Sequence, residues 1–358
     1  MTSPLIDTAR APLRGRRSLA ADVLEGSCAI LTVAIGRKGL ITQEKIVFAI
    51  FVLLFLSFSL FLPGFLNANN VLLLLQSVSV LGILSIAMGA TIIAGAIDLS
   101  MVALMAMSVA WALQLVNNGV PVPVAMLIGG GSAILVGIIN GVLVAYIEIP
   151  PLFATLATAA CIYGFGRFGL ISQDTVYLPK NLGWLTELGQ GRVYGVPMPV
   201  IVFASLAALV ALVMNYTKFG RFAYAIGDNR ATARITGVPV RPVLVLQYTV
   251  SAIVAFVAGL VQATAVNSMN TRITDTLLIY EVILVVVLGG IGLSGGKGGV
   301  RNVVVGTLLI GTFLNGMTIM NIQFTAQNAI KGLILLTAIA VDQLINPRDE
   351  QTSQQGDI

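Results

Sequence analysis

Four ionisable side chains, Asp98, Arg167, Glu281 and Lys331, fall within or at the edge of long apolar stretches of this 358-residue sequence. A charge at the centre of a bilayer costs about 2.5–3.5 kcal/mol on insertion scales, so such residues are placed for a reason: they start helices, reach the headgroups, or line a solute path. Asp98, followed by Leu99-Ser100, suits a helix start, where a carboxylate accepts backbone N–H bonds and complements the helix dipole. Glu281, shortly after Thr276, reads the same way. For both the alternative is a place in a translocation path. Arg167 and Lys331 lie toward the outer ends of their segments and are expected to snorkel to the headgroups. The sequence contains no histidine, which removes histidine acid–base catalysis, Ser/His/Asp and Cys/His arrangements, and most zinc and haem sites. Cys28 and Cys161 cannot form a metal cage and read as plain thiols.

The remaining motifs also point away from cofactor chemistry. Gly290-Ile291-Gly292-Leu293-Ser294-Gly295 satisfies G-x-G-x-x-G, but it joins two apolar helical segments rather than a strand and a helix, so it is no dinucleotide fingerprint. Gly296-Lys297 lacks the first glycine of a phosphate loop and has Gly298 where Ser or Thr must hold magnesium. Gly137 and Gly141 form a G-x-x-x-G pair at helix-packing spacing, with a homodimer seam as the less favoured use. No series of carboxylates runs through successive segments as in ion-coupled carriers, and no arginine-rich voltage sensor or potassium filter is present. No cofactor and no nucleic-acid partner are expected; energy for any transport would come from another protein.

The elements that carry these residues follow from composition. The chain is 57% apolar and 10% charged, with a mean hydropathy of +0.95, a surface that belongs in lipid and excludes a soluble enzyme. Ten apolar segments, 46–62, 71–93, 99–116, 122–147, 149–171, 197–216, 243–266, 277–290, 303–319 and 329–344, are long enough to be membrane helices, because backbone in hydrocarbon must bond to itself. The segment 277–290 is the exception in length and is expected to be tilted or broken and enclosed by others. The fold class is therefore an all-α polytopic membrane protein of about ten transmembrane helices. Residues 1–45 form a basic cytoplasmic tail, 46–345 the transmembrane domain, and 346–358 a polar cytoplasmic tail. With both termini cytoplasmic, fifteen of the twenty Lys and Arg fall on the inner side, as the positive-inside rule requires; the net charge of +5 is thereby explained. The outer side carries one long excursion, 172–196, whose Tyr177, Trp184 and Tyr194 suit either an interfacial anchor or a docking platform. Asn140-Gly141 in the fourth span and Asn315-Gly316 in the ninth, with Asp98 and Glu281 opening the third and eighth, suggest an inverted repeat of spans 2–5 and 7–10. A rival alignment pairs Gly95–Ser100 with Gly289–Ser294 at a different offset. On the inner side, loop 217–242 carries Lys218, Arg221, Arg230, Arg234 and Arg241, and Asp228 to Ile235 has an Asp/Asn start followed by two helical turns, read either as an ordinary basic loop or as a docking helix.

At this loop the sequence resembles the permease subunits of bacterial ATP-binding-cassette sugar importers of the ribose, xylose and galactose type, whose pattern resembles G-x-N-x-x-A-A-x-x-S-G-I-x-V. Gly227, Asn229, Ala233, Gly237 and Val240 match it, with Thr232 and Thr236 in place of Ala and Ser. Further matches run in order through Ile97-Asp98-Leu99-Ser100, Asn140-Gly141, Ile149-Pro150-Pro151, Tyr280-Glu281, Gly289-Gly290, Leu293-Ser294-Gly295-Gly296, Asn315-Gly316 and Lys331-Gly332, covering about 45–345. Met101-Val102 depart from the usual Val-Gly. The resemblance implies a multi-pass inner-membrane subunit, not an enzyme, that pairs with a second permease subunit as homodimer or heterodimer. A periplasmic solute-binding protein would deliver a monosaccharide or polyol, and cytoplasmic ATPase subunits would drive alternating access. It implies ATPase coupling through Gly227, Asp228, Asn229, Ala233, Arg234 and Gly237. Asp98, Asn140, Glu281 and Asn315 are expected in the translocation path or its support. Alternatives are an ATP-driven permease for a branched-chain amino acid or nucleoside, a secondary carrier or channel, and a membrane scaffold.

Overall fold

The computed structural model describes residues 43–345 apart from 172, 180 and 181; the tails expected at 1–45 and 346–358 therefore lie, but for Gln43–Lys45, outside the described residues. The chain divides into Met1–Ile46 and Val47–Ile358. Of the first unit only the opening turn of α1 is described.

Ten apolar helices are present among the described residues: α1 (Gln43–Phe61), α2 (Ala68–Ile93), α3 (Met101–Asn117), α4 (Val122–Ala145), α5 (Pro151–Phe165), α7 (Met198–Tyr216), α10 (Val240–Ala265), α11 (Leu278–Leu288), α12 (Val300–Ile319) and α13 (Phe324–Ile345). Eight are long and apolar enough to cross a bilayer; α3 and α11 are shorter. Starts are set by local chemistry: Asn67 accepts the Asn69 N–H to open α2, and prolines at Pro151 and Pro199 occupy first-turn positions of α5 and α7, where a missing N–H costs nothing. A π-helical turn, Gly166–Leu170, extends α5 outward. Helix α11 has 11 residues and rises only about 16 Å. Non-helical Gly289–Gly299 continues from it, with Ile291 and Gly295 buried and Ser294, Lys297 and Gly298 exposed.

Helices α2 and α10 form the centre. α2 packs on α11 and α12, while α10 packs on α4 and α3, and the two central helices touch each other. Exchanging spans 2–5 with 7–10 maps these pairings onto one another: α2/α12 onto α10/α4, α2/α11 onto α10/α3, and α3/α5 onto α11/α13. The repeat of spans 2–5 and 7–10 accordingly has a counterpart in the helix pairings. Gly137 and Gly141 face α10, not another chain: a Cβ at Gly141 would lie 2.5 Å from the Val245 Cα, and one at Gly137 2.9 Å from the Thr249 Cα. The G-x-x-x-G pair is an internal seam.

In the excursion expected on the outer side, β1 (Thr175–Tyr177) pairs antiparallel with β4 (Ser268–Asn270). The short helix α6 (Gly183–Gln190) rests on the end of α10, where the Gln190 Nε2 donates to the Thr264 carbonyl at 3.1 Å. β2 (Arg192–Val193) and β3 (Val196–Pro197) form a hairpin with Tyr194 fully exposed at its tip.

Candidate functional site

Loop 217–242 holds two helices where the sequence suggested one. α8 (Lys218–Asp228) begins at Thr217, whose hydroxyl accepts the Gly220 N–H, and α9 (Arg230–Ile235) begins at Asn229, whose side-chain carbonyl accepts the Thr232 N–H at 2.8 Å. Asp228 thus closes α8 rather than opening the docking helix. The missed signal was the amphipathic stretch Lys218–Asp228, in which Gly220, Ala223 and Ile226 are buried on one helical face.

Helix α9 is fastened to the body by three side chains. Ala233 is buried. Arg230 folds back so that its Nη2 donates to the Val144 carbonyl at the end of α4, at 3.4 Å. Arg234 reaches Glu148, in the α4–α5 turn, at 3.3 Å, and Arg241 reaches the same carboxylate at 3.5 Å while lying over the Tyr146 ring. Glu148 has a φ of +63°, and the guanidiniums of Arg234 and Arg241 hold its carboxyl below the ordinary carboxylate range. What α9 presents outward is its last turn: Ile235 is 87% exposed. Gly237 turns the chain away at a φ of +83° with open space around it.

Where α8 ends, three backbones meet. A Cβ on Gly227 would lie 1.9 Å from the Ile93 carbonyl oxygen and 2.6 Å from the Gly296 nitrogen, and the Gly296 N–H donates to that same Ile93 carbonyl at 3.0 Å. Gly95 and Gly295, both at positive φ, close the junction. The two segments paired in the rival alignment, 95–100 and 289–294, therefore approach each other here as neighbours on one side of the molecule.

The four residues expected in the path are not one constellation. Asp98 is fully buried. Its Oδ1 accepts the Ser100 N–H at 3.0 Å and the Ser100 hydroxyl at 2.6 Å, and its Oδ2 accepts the Ser251 hydroxyl at 2.8 Å. The Asn140 Nδ2 donates to the Ser100 hydroxyl at 2.8 Å, so Asp98 and Asn140 share a network. Ser100, not Asp98, sits at the N-cap of α3, and it makes no side-chain cap bond; Asp98 instead ties the turn before α3 to α10. Glu281 pairs with Lys331, and Lys331 is buried at 6% exposure, so it does not snorkel. Two opposite charges two spans apart, each costly alone, were the available signal. Arg167 bonds to Asp174 at 2.6 Å. Asn315 and Asn70 exchange side-chain amide bonds of 3.0 and 3.1 Å.

A sizeable opening lies elsewhere. A cavity of about 950 Å³ is bounded by the end of α2, the turn before α3, α3, α5, the 274–277 segment, α11, Leu293 and α13. Ile97 and Leu293, each two residues along the chain from a glycine of the junction, form part of its wall together with Leu99. None of Asp98, Asn140, Glu281 or Asn315 lines it, although Tyr280, next to Glu281, does.

A sequence model of the family described as branched-chain amino acid transport system / permease component matches residues 70–339. The chain belongs to that family. Among the relatives of this permease are the ribose import permease protein RbsC of Bacillus subtilis, 31% identical over 78% of this chain and 87% of the relative. The L-arabinose transport system permease protein AraH of Escherichia coli is 30% identical, covering 85% and 92%. The ribose import permease protein of Escherichia coli is 28% identical, covering 85% and 95%. No solved structure matches. Family membership and the apolar helices make this permease a multi-pass inner-membrane protein of an ATP-binding-cassette transport system.

Proposed function

We propose that this permease is the membrane subunit of an importer that passes a monosaccharide, delivered on the outer side by a soluble binding protein and driven on the inner side by separate ATPase subunits. The observation that carries the reading is the continuity between α9 and the cavity. The end of α8 abuts Gly95 and Gly296, and the same two segments supply Ile97, Leu99 and Leu293 to the cavity wall. A push on α9 is thus delivered to the solute path through backbone contacts that have no soft side chain between them. Coupling needs no more than this: two arrangements of a packed junction that the ATPase and the solute favour differently.

In this reading Gly227 is the close approach, Asp228 and Asn229 set the α8–α9 corner, Ala233 and Arg234 anchor α9, and Gly237 releases the chain. Ile235 is the knob offered to the ATPase. Asp98, Asn140, Glu281 and Asn315 are support for the path. Bond cleavage belongs to the ATPase, and a second permease copy or a paralogous subunit completes the pathway. Residues 1–45 and 346–358 are cytoplasmic tails. The relatives named for ribose and L-arabinose support the sugar assignment.

The test is uptake by proteoliposomes holding the permease, its ATPase and its binding protein, with a panel of pentoses, hexoses and branched-chain amino acids. Sugar-dependent ATPase activity and uptake support the proposal. Uptake of leucine or valine without sugar uptake would favour the second reading, which the mostly aliphatic cavity wall and the family's description give some ground for. Uptake by the lone permease under an ion gradient would overturn both.

A further inference from the structure

The cavity is polar at one end only. Its inner wall is aliphatic, with Ile92, Ile97, Leu99 and Leu293, whereas the outer segment contributes Thr274, Asp275 and Thr276, and Tyr163 and Tyr280 come from the outer halves of α5 and α11. Two of these polar groups are already spent. The Thr274 hydroxyl donates to the Thr271 carbonyl at 3.0 Å, and the Thr276 hydroxyl donates to the Ile273 carbonyl at 2.7 Å. Among the described residues, the Tyr163 hydroxyl, the Tyr280 hydroxyl and the Asp275 carboxylate have no hydrogen-bond or ionic partner. Tyr280 is 54% exposed.

Resting on the sugar reading above, we propose that Tyr163, Tyr280 and Asp275 form a sugar-holding subsite at the outer mouth of the cavity. A tyrosine ring offers an apolar face and a polar tip, which matches a sugar ring with its C–H face and its rim of hydroxyls. An ionised carboxylate accepts hydroxyl donors in short, strong bonds. The cavity lies within the size range of small-molecule sites.

The charges around the mouth favour a neutral polyol over a zwitterion. Asp275 could take an ammonium group, but an amino acid also needs a free cation for its carboxylate. No Lys or Arg lines the cavity; of the cations on the elements around it, Arg167 and Arg272 are committed to Asp174 at 2.6 and 2.7 Å, and Lys331 is committed to Glu281. Beyond the subsite the aliphatic wall offers no hydrogen bonds. The solute is therefore held at entry and unheld further in, so that inward release has no hydrogen bonds to break beyond the subsite.

The test is initial-rate sugar uptake in proteoliposomes with the whole transporter, as a function of loaded binding protein. Tyr280→Ala and Tyr163→Ala should each lower the maximal uptake rate at least 10-fold, with less than a twofold change in half-saturation by the binding protein. Tyr280→Phe should keep uptake within about threefold, because stacking survives. Asp275→Asn, on the exposed outer segment where folding is not at stake, should change the ratio of ribose to arabinose uptake at least threefold. Phe168→Ala, an outer aromatic 95% exposed and away from the cavity, should be unaffected. Wild-type uptake rates and an unchanged sugar ratio in Tyr163→Ala/Tyr280→Ala and in Asp275→Asn would overturn the subsite while leaving sugar transport intact. Absence of sugar uptake by the wild type would overturn the sugar reading itself, and the subsite with it.

Discussion

The Glu281–Lys331 pair joins α11 to α13, two walls of the cavity, and its side chains are only 19% and 7% exposed. Replacing Lys331 by Met preserves length and apolar volume but leaves the Glu281 carboxylate largely out of water. Breaking a buried pair by removing one partner costs about 3–5 kcal/mol, whereas replacing both partners with apolar or neutral groups is often neutral or stabilising. For a chain of this size about 2 °C of melting temperature accompanies each kcal/mol, so Lys331→Met should lower the apparent Tm by about 6–10 °C. Glu281→Gln should do the same, with the Lys331 ammonium now unpaired; its position over the Phe324 ring, 5.5 Å from the centroid, offsets part of that loss. The double variant should return to within about 3 °C of the wild type. The assay is thermal unfolding of the detergent-purified permease, followed by size-exclusion recovery, with the four proteins measured side by side. A Lys331→Met protein as stable as the wild type, or losses that simply add in the double variant, would refute the argument that the two charges are desolvated together.

Other consequences are as direct. Gly227→Ala puts a methyl group into backbone that cannot yield; overpacking of this kind costs about 1–3 kcal/mol or more, and uptake should fall at least 10-fold. Gly237→Ala meets no atom and bears only the left-handed backbone cost of about 1–2 kcal/mol, leaving uptake within a few-fold; Gly237→Asp, which puts a charge on the face offered to the ATPase, should uncouple ATP hydrolysis from uptake while insertion is intact. Ser251→Ala removes one of three donors to Asp98 and should cost about 1–3 kcal/mol in thermal unfolding, while Ser251→Thr, which keeps the hydroxyl, costs less. The folded-state pKa of Glu148 lies below its ordinary value of 4.5, so its contribution is fully present above that value and is lost as the pH falls through the depressed one. Coupled uptake should therefore show no Glu148-dependent change between about pH 8 and 5.5, and Glu148→Gln, with the same uptake assay, should lower it at every pH in that window.

The spans were legible because hydrocarbon leaves the backbone few options: each of the ten apolar segments became a helix, and the short one at 277–290 became the short α11 with its neighbouring non-helical stretch. The five-span offset of the Asn140-Gly141 and Asn315-Gly316 echo agrees with the exchange of helix partners, although Gly141 faces α10 and Gly316 faces Phe58 of α1. Less was legible where the answer depended on which side chains face one another. Lys331 looked like a snorkelling residue because its distance from the helix end permits that; only the position of α11 decides that it pairs with Glu281. Asp98 looked like a cap because it precedes a helix, but the serine that completes its shell is on α10, Ser251. The amphipathic α8 was hidden because its small buried residues, Gly220 and Ala223, carry little hydropathy. Tyr163 was unremarked because nothing in its immediate sequence distinguishes an aromatic in a cavity wall from one facing lipid.

The exchange of partners between α2 and α10 also governs how the protein can be made. α2 is one of the most enclosed helices, yet its central partner α10 follows about 170 residues later, which at roughly 5–20 residues per second takes roughly 10–30 s of synthesis. Until then the polar groups along α2, including the Thr91 that later accepts the Gln247 amide at 3.1 Å, have only lipid, the insertion machinery or early spans as neighbours. Neither half of the chain owns a complete core, so folding must wait for the second half. A nascent chain stalled within the 217–239 corner would be an inserted but unassembled membrane protein, recognisable to quality-control proteases by exposed hydroxyls and amides in the bilayer.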